Sequence, residues 1–317
     1  MQLGIYFPST EVPLTGATLR EFTRAVDAMG YDYVVTADHV LGTPHEGREP
    51  KLWGPYTEHD TFLDPFVLFS HMAAYSDRLE FATSIMVLPQ RQTALVAKQA
   101  ADLAVLTDNR FRLAVGVGWN HVEFAALGQH FSRRGARTDE QIAMLRRLWT
   151  EELVSGTVGD EVFDRAGINP RPTVPVPIWL GGYAEVALRR GAQVGDGFSF
   201  GGLVEEAAPM QRRVQELLHE YGRDRSIARL GAGDGVAAAD GRPGARRRWP
   251  CNRPSFLDGM ADGYAQWGEL GRAYLAVTTY WMELGDLANH LAYAEQAIAP
   301  ASAPDRRLNT FLYRSVQ

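Results

Sequence analysis

Four short stretches put chemistry-bearing residues where apolar runs end. Asp38-His39 follows Tyr33–Thr36, and Ser84-Ile85 lies inside Leu79–Val87. Gly116-Val-Gly-Trp-Asn120 ends the run that starts at Phe111, and Gly181-Gly182 ends Ile178–Leu180. An imidazole such as that of His39 takes or gives a proton near neutrality; the plainer reading is a buried histidine bonded to Asp38 or to backbone. Asp38 reads as an orienter or a cap rather than an acid. Gly181-Gly182, with Tyr183 and Ala184 opening a helix, presents free backbone N–H groups, which together with the helix dipole attract an anion. Its alternative is a packing turn where glycine relieves crowding. Trp119 either walls a pocket or packs under the next helix, and Asn120 either donates to a ligand or caps that helix.

Other motifs fail on inspection. His45-Glu-Gly-Arg-Glu49 ends in glutamate, so it lacks the i, i+4 histidine pair of a zinc helix. Gly116-Val-Gly118 has no third glycine of a dinucleotide fingerprint, and neither a P-loop nor a GxSxG elbow is present. The histidines have no tight ligand spacing, so no metal site is expected.

The elements that must position these residues alternate. Strands are expected at Leu3–Phe7, Tyr33–Thr36, Leu79–Val87, Phe111–Val117, Ile178–Leu180, Phe198–Phe200, Ile227–Leu230 (weak) and Tyr274–Thr278. Between and after them, three-and-four spacing predicts helices over Leu19–Met29, 65–75, Thr93–Leu106, Arg137–Trp149, Glu185–Gln193, Met210–Tyr221, Phe256–Leu270 and Leu287–Ile298. A further helix start is read at Glu123–Gly128. Eight strands alternating with helices fit a (β/α)8 TIM barrel, an α/β fold in which active sites gather at the C-terminal strand ends. An open doubly wound sheet is the alternative, and the missing first-turn GxGxxG weighs against it. One domain over 1–317 is expected. Residues 231–253 are dense in chain breakers and have no period, so a surface loop or a frame-shifted stretch is expected there, near strand seven.

Composition narrows the function classes. A formal charge of −6 argues against a general nucleic-acid surface. One cysteine, Cys251, rules out an internal disulfide framework and suits a cytoplasmic protein. The start lacks a signal-peptide pattern, and no apolar run is long enough to span a membrane.

The motifs in this order resemble the luciferase-like monooxygenases, flavin- and deazaflavin-using β/α barrels. The resemblance is carried by Leu3-Gly-Ile-Tyr-Phe-Pro8, Asp38-His39-Val40, Thr83-Ser-Ile-Met-Val-Leu-Pro89 and Ala97-Lys-Gln-Ala-Ala-Asp-Leu103. It continues in Gly116–Asn120 with Glu123-Phe124, Ile178-Trp-Leu-Gly-Gly182 and Gly195-Asp-Gly197. The pattern is most similar to the subgroup using the deazaflavin coenzyme F420. The resemblance implies that cofactor phosphate lies near Gly181, Gly182 and Tyr183. It also implies that the third strand bends beneath the ring at Ser84-Ile85, often through a non-proline cis peptide. Gly116 and Gly118 would let backbone approach a flat ring, Asn120 would reach phosphate or ribityl groups, and His39 would face the substrate as the catalytic residue. The 42–62 loop, with Trp53, Tyr56 and His59, would set substrate choice.

That resemblance implies hydride transfer between F420 and a small organic substrate, by a homodimer served by an F420 or flavin reductase. Two alternatives stay open: an FMN-dependent monooxygenase with a separate flavin reductase, and a flavin-binding barrel without turnover. Sugar-oxidising deazaflavin relatives carry a tryptophan shortly after the histidine and an acid at the end of strand four. Here those places hold Thr43 and the Gly116–Asn120 turn, so a sugar-phosphate substrate is not implied.

Overall fold

The computed structural model describes residues 2–200, 204–223, 229–233, 273–277 and 285–302. Eleven strands are described: β1 (Gln2–Tyr6), β2 (Tyr33–Thr36), β3 (Glu80–Thr83), β4 (Met86–Val87), β5 (Phe111–Gly116), β6 (Val154–Val158), β7 (Glu161–Ala166), β8 (Ile178–Gly181), β9 (Gly197–Phe200), β10 (Arg229–Gly233) and β11 (Ala273–Val277). Nine of them form one sheet in the order β3-β2-β1-β11-β10-β9-β8-β5-β4, and β3 also pairs with β5. Every pairing in that sheet is parallel. The result is an α/β fold on a curled parallel sheet, an order that an open doubly wound sheet does not have.

The helices are α1 (Gly16–Met29), α2 (Pro65–Ala73), α3 (Thr93–Leu106), α4 (His121–Ala126), α5 (Arg134–Thr150), α6 (Glu185–Val194), α7 (Val204–Glu220) and α8 (Leu287–Ser302). Local chemistry explains their ends. Thr15 caps α1 by accepting from the Thr18 amide, and Gly30 closes it at φ 95°, a left-handed turn that suits glycine. Asp64 caps α2, with Pro65 in its first turn. Small residues on α3 (Ala97, Ala100, Ala101, Ala104) are fully or nearly fully buried, and they let α5 come close enough for the Trp149 indole to donate to the Ala97 carbonyl at 3.0 Å.

Apolar burial falls into two layers. The larger packs helices on the outside of the sheet. The smaller joins Tyr33, Val35, Ala82, Ala114 and Trp179, with Tyr6 and Ile85 packed against it. These strand residues turn away from the helix-packed layer, as side-chain alternation requires, and so line the inside of the curl. Arg112 lies among them, its guanidinium 4.5 Å from the Tyr33 ring centroid and 5.0 Å from that of Trp179, with Glu80 at 3.4 Å.

The third strand bends at Ser84-Ile85 through a non-proline cis peptide, as the family resemblance implies, and so divides Leu79–Val87 into β3 and β4. Two departures from the sequence reading matter. An antiparallel hairpin, β6–β7, stands between α5 and β8 where no strands were expected. Its ends are tied to the rest of the fold: the Arg137 guanidinium meets Glu161 at 2.6 Å, and Glu161 accepts from the Thr93 amide. Gly231–Gly233, expected to open an irregular stretch, instead continue β10 in register with β9 and β11. The remainder of that stretch and the expected helix Phe256–Leu270 lie outside the described residues. Among the described residues no helix is long and apolar enough to cross a membrane.

Candidate active site

The end of β2 carries a closely fitted polar net. His39 Nδ1 lies 3.1 Å from Glu123 Oε2, and the two side chains are 8% and 0% exposed. Glu123, on α4, also accepts from the Val40 and Leu41 amides through Oε1 and from Gln90 Nε2 at 3.0 Å through Oε2. Burial pushes its carboxyl up. The His39 hydrogen bond and charge, the Leu41 amide and Gln90 outweigh that and hold it below the ordinary glutamate value. An ionised carboxylate only accepts, so His39 Nδ1 is the donor in this bond, and Nε2 is the ring nitrogen left to take or give a proton. No described residue bonds Nε2.

Asp38 does not bond His39, whose partner is Glu123; it ties the strand end to its neighbours instead. Its carboxylate accepts from the Val87 amide at 3.0 Å and takes two bonds from Arg91, which also reaches Asp64 at 2.8 Å. Burial works against the Arg91 charge, but Asp38 and Asp64 raise its pKa. These bonds lock the end of β2 to β4 and to the start of α2.

Beside this net, Ser84 and Ile85 are half-buried at the break in the third strand. The Ser84 amide donates to the Thr36 carbonyl at 2.8 Å, which fixes the break against β2. The Tyr6 hydroxyl donates to Ser84 Oγ. Burial pushes the Tyr6 phenol up to about 12, against the Ser84 bond, with Tyr183 adding to the rise. Gly116 and Gly181 flank Ile85: a Cβ on Gly116 would sit 2.5 Å from Ile85 Cδ1, and one on Gly181 would sit 2.6 Å from Ile85 Cγ2. A Cβ on Gly118 would meet Val87 at 2.4 Å. The space above these glycines therefore holds side chains of the third strand, where the sequence reading expected the approach of a ring.

The turn after β8 is built differently. Gly182 has φ 143°, and a Cβ there would lie 2.8 Å from that of Ala187, so glycine lets α6 start immediately. Ala184, the N-cap of α6, gives no side-chain hydrogen bond, and Tyr183 is 72% exposed. The first-turn amides of α6 are thus left without a side-chain cap.

Trp119 packs among the rings of His39 and the 42–62 loop. Its ring lies 5.5 Å from His39, 5.7 Å from His45 and 6.3 Å from Trp53, and a Cβ on Gly54 would collide with it. Tyr56 lies 4.8 Å from the His39 ring and Phe62 5.3 Å from it. The 42–62 loop therefore closes on His39 through Tyr56, while the exposed Trp53 ring lies tilted beside Trp119. His59 does not join this group; its side chain is 78% exposed and pairs with neighbouring Glu58. Asn120 fills the capping role, accepting from the Val122 and Glu123 amides, and its Nδ2 donates to buried Thr43 at 3.1 Å. Both ends of that amide are thereby engaged within the protein.

Glu123, Gln90, Phe62 and Tyr6 had no role in the sequence reading. A glutamate followed by Phe-Ala-Ala-Leu in a short helix start is the one local hint of a buried acid. The acid that meets His39 comes from α4, seven residues beyond Gly116. Among the described residues, no cluster of three or more metal-ligating side chains occurs.

The chain belongs to the luciferase-like monooxygenase family, whose model matches residues 1–307. It is 33% identical over 207 residues to an uncharacterised protein of Mycobacterium tuberculosis strain H37Rv, covering 63% of this chain and 71% of that one. An F420-dependent glucose-6-phosphate dehydrogenase of Amycolatopsis mediterranei is 30% identical over 189 residues, covering 57% of this chain and 52% of the relative. An FMNH2-dependent dimethylsulfone monooxygenase of Pseudomonas fluorescens is 26% identical over 225 residues, covering 70% and 57%. In fold, the chain is similar to an F420-dependent secondary alcohol dehydrogenase solved with an F420-acetone adduct. There the TM-score is 0.71 at 15% identity, with 95% of this chain and 99% of the other covered. The family thus contains F420- and FMN-dependent oxidoreductases.

Proposed function

We propose that this chain is a single-domain (β/α)8-barrel oxidoreductase that moves hydride between F420 and a small organic substrate, with His39 as its catalytic base or acid. The observation that carries the reading is His39 fixed by buried Glu123 next to the Ser84-Ile85 ledge. The groups around the ledge fit a flat cofactor with a charged tail: a half-buried shelf on one side, and on the other the glycine turn Gly181-Gly182 with Tyr183 and the uncapped start of α6. Ser84 and Ile85 would support the ring. Gly116 and Gly118 would act indirectly, by seating Ile85 and Val87, and Asn120 by holding α4. Trp53 and Tyr56 would meet the substrate.

When bound, F420 supplies a two-electron site that accepts or gives hydride. The protein handles the proton: His39 Nε2 takes it from a substrate hydroxyl in one direction and returns it in the other. Glu123 holds the ring in the tautomer that leaves Nε2 free and stabilises the imidazolium once formed. Tyr56, Phe62 and Trp119 keep water from the ring of His39. We place the enzyme in the cytoplasm as a homodimer supplied by an F420 reductase.

Titrating the purified protein with F420 and with FMN, followed by absorbance and fluorescence, tests the cofactor. His39→Ala should then cost about 10²–10⁴-fold in turnover with cofactor affinity unchanged; unaltered turnover would remove His39 from the chemistry. The similarity to an FMNH2-dependent relative favours a second reading, oxygen chemistry with a separate flavin reductase. Selective FMN binding would choose it. Binding of either cofactor with no turnover would leave a flavin-binding barrel.

A further inference from the structure

Tyr6 sits at the C-terminal end of β1, packed against the inner apolar layer, and its hydroxyl meets that of Ser84. The Ser84 backbone carbonyl is 3.5 Å from the same phenol oxygen, at the limit of hydrogen-bond reach, so of the two Ser84 groups the hydroxyl makes the closer bond. The phenol keeps its proton throughout the neutral range, and in this geometry it donates that proton to Ser84 Oγ. A serine hydroxyl has one proton and two lone pairs. With one lone pair taken by Tyr6, its own proton points elsewhere, and no described residue accepts it. Ser84 is half-buried, and its hydroxyl proton is left for a partner other than a described residue.

We infer that Tyr6 is a positioning residue: by donating to Ser84 Oγ it turns the Ser84 hydroxyl outward as a fixed donor to an acceptor atom on the edge of a bound flat-ring cofactor. This rests on the cofactor reading above and adds to it a residue from the first strand that never touches the ring. Without the Tyr6 hydroxyl, Ser84 rotates among its staggered positions and the donor loses its direction.

Four proteins decide it: the full chain, Tyr6→Phe, Ser84→Ala and the double variant, each titrated with F420 and with FMN. Tyr6→Phe keeps the ring that packs inside, and Ser84→Ala removes the outward donor directly. Each single change should weaken Kd about three- to tenfold, the worth of one hydrogen bond. The double variant should be no weaker than either single one, because both remove the same bond. The absorbance shift of the bound ring in the parent should be lost in all three. Undiminished binding by either single variant, or losses that multiply in the double, would overturn the inference while leaving the cofactor reading intact. Failure of the parent chain to bind either cofactor would overturn both.

Discussion

At the end of β2, the acceptors are matched many times over: one glutamate serves two amides, an amide side chain and an imidazole, and one aspartate serves an amide and a guanidinium. At the end of β8 there is almost no side chain at all, only two glycines, an exposed tyrosine and a helix start without a side-chain cap. The difference follows the two jobs proposed for these ends. Moving a proton needs an atom held in one place and one tautomer, which takes a buried network. Holding a solvated anion needs several N–H dipoles facing outward, which backbone supplies once side chains are out of the way.

The largest test of this contrast is Glu123→Ala. It leaves buried donors without an acceptor and should cost about 3–5 kcal/mol in urea unfolding; a loss under about 1 kcal/mol would mean that the net around His39 contributes little. The same carboxyl gives a pH signature. Its folded value is depressed below the ordinary 4.5, so its stabilisation is complete above that value and disappears as the pH falls through the folded one. Glu123→Gln should therefore flatten the acid limb of the curve of melting temperature against pH.

Next comes Gly181→Ala. The new methyl would strike the Cγ2 methyl of Ile85, whose Cδ1 already sits against Gly116, and overpacking of this kind costs about 1–3 kcal/mol. In an Ile85→Ala background the cost should vanish, which a double-mutant cycle would read. A cost that persists would show that this turn is crowded by something other than Ile85. Asn120→Ala should lose about 1 kcal/mol, the value of a helix cap, in thermal unfolding. It should also loosen Thr43 without changing anion binding at α6. Smallest is His59→Ala, which should stay within about 0.5 kcal/mol and leave turnover alone; a clear fall in activity would bring the outer part of the loop into the site.

The elements were most legible where local signals agreed. Thr93–Leu106 and Tyr33–Thr36 match their expected limits to the residue, because a small-residue helical face and a short apolar run leave few alternatives. The β6–β7 hairpin was missed although Gly159-Asp160 marks a turn; only Val154, Val158 and Phe163 are buried along it, too few to set a period of two. The role of Glu123 was not legible, since its partner His39 is 84 residues away and only folding brings them together. The break at Ser84-Ile85 was readable through family resemblance alone, because Leu79–Val87 by itself reads as one strand. For the glycines, sequence indicated that Cβ atoms were unwelcome but not what fills the space, and the answer is Ile85 and Val87.

Pairing of β1 with β11 ties the second residue of the chain to the 274th. During synthesis at about 5–20 residues per second, roughly 15–50 s pass between completion of the first strand and arrival of its neighbour. Through that interval one flank of β1 has open amides and carbonyls that another nascent chain can match. The first strand is only five residues long, and brevity is one of the ways natural proteins blunt such an edge. Lengthening it would be paid for first in yield from the ribosome, before any change in the finished fold.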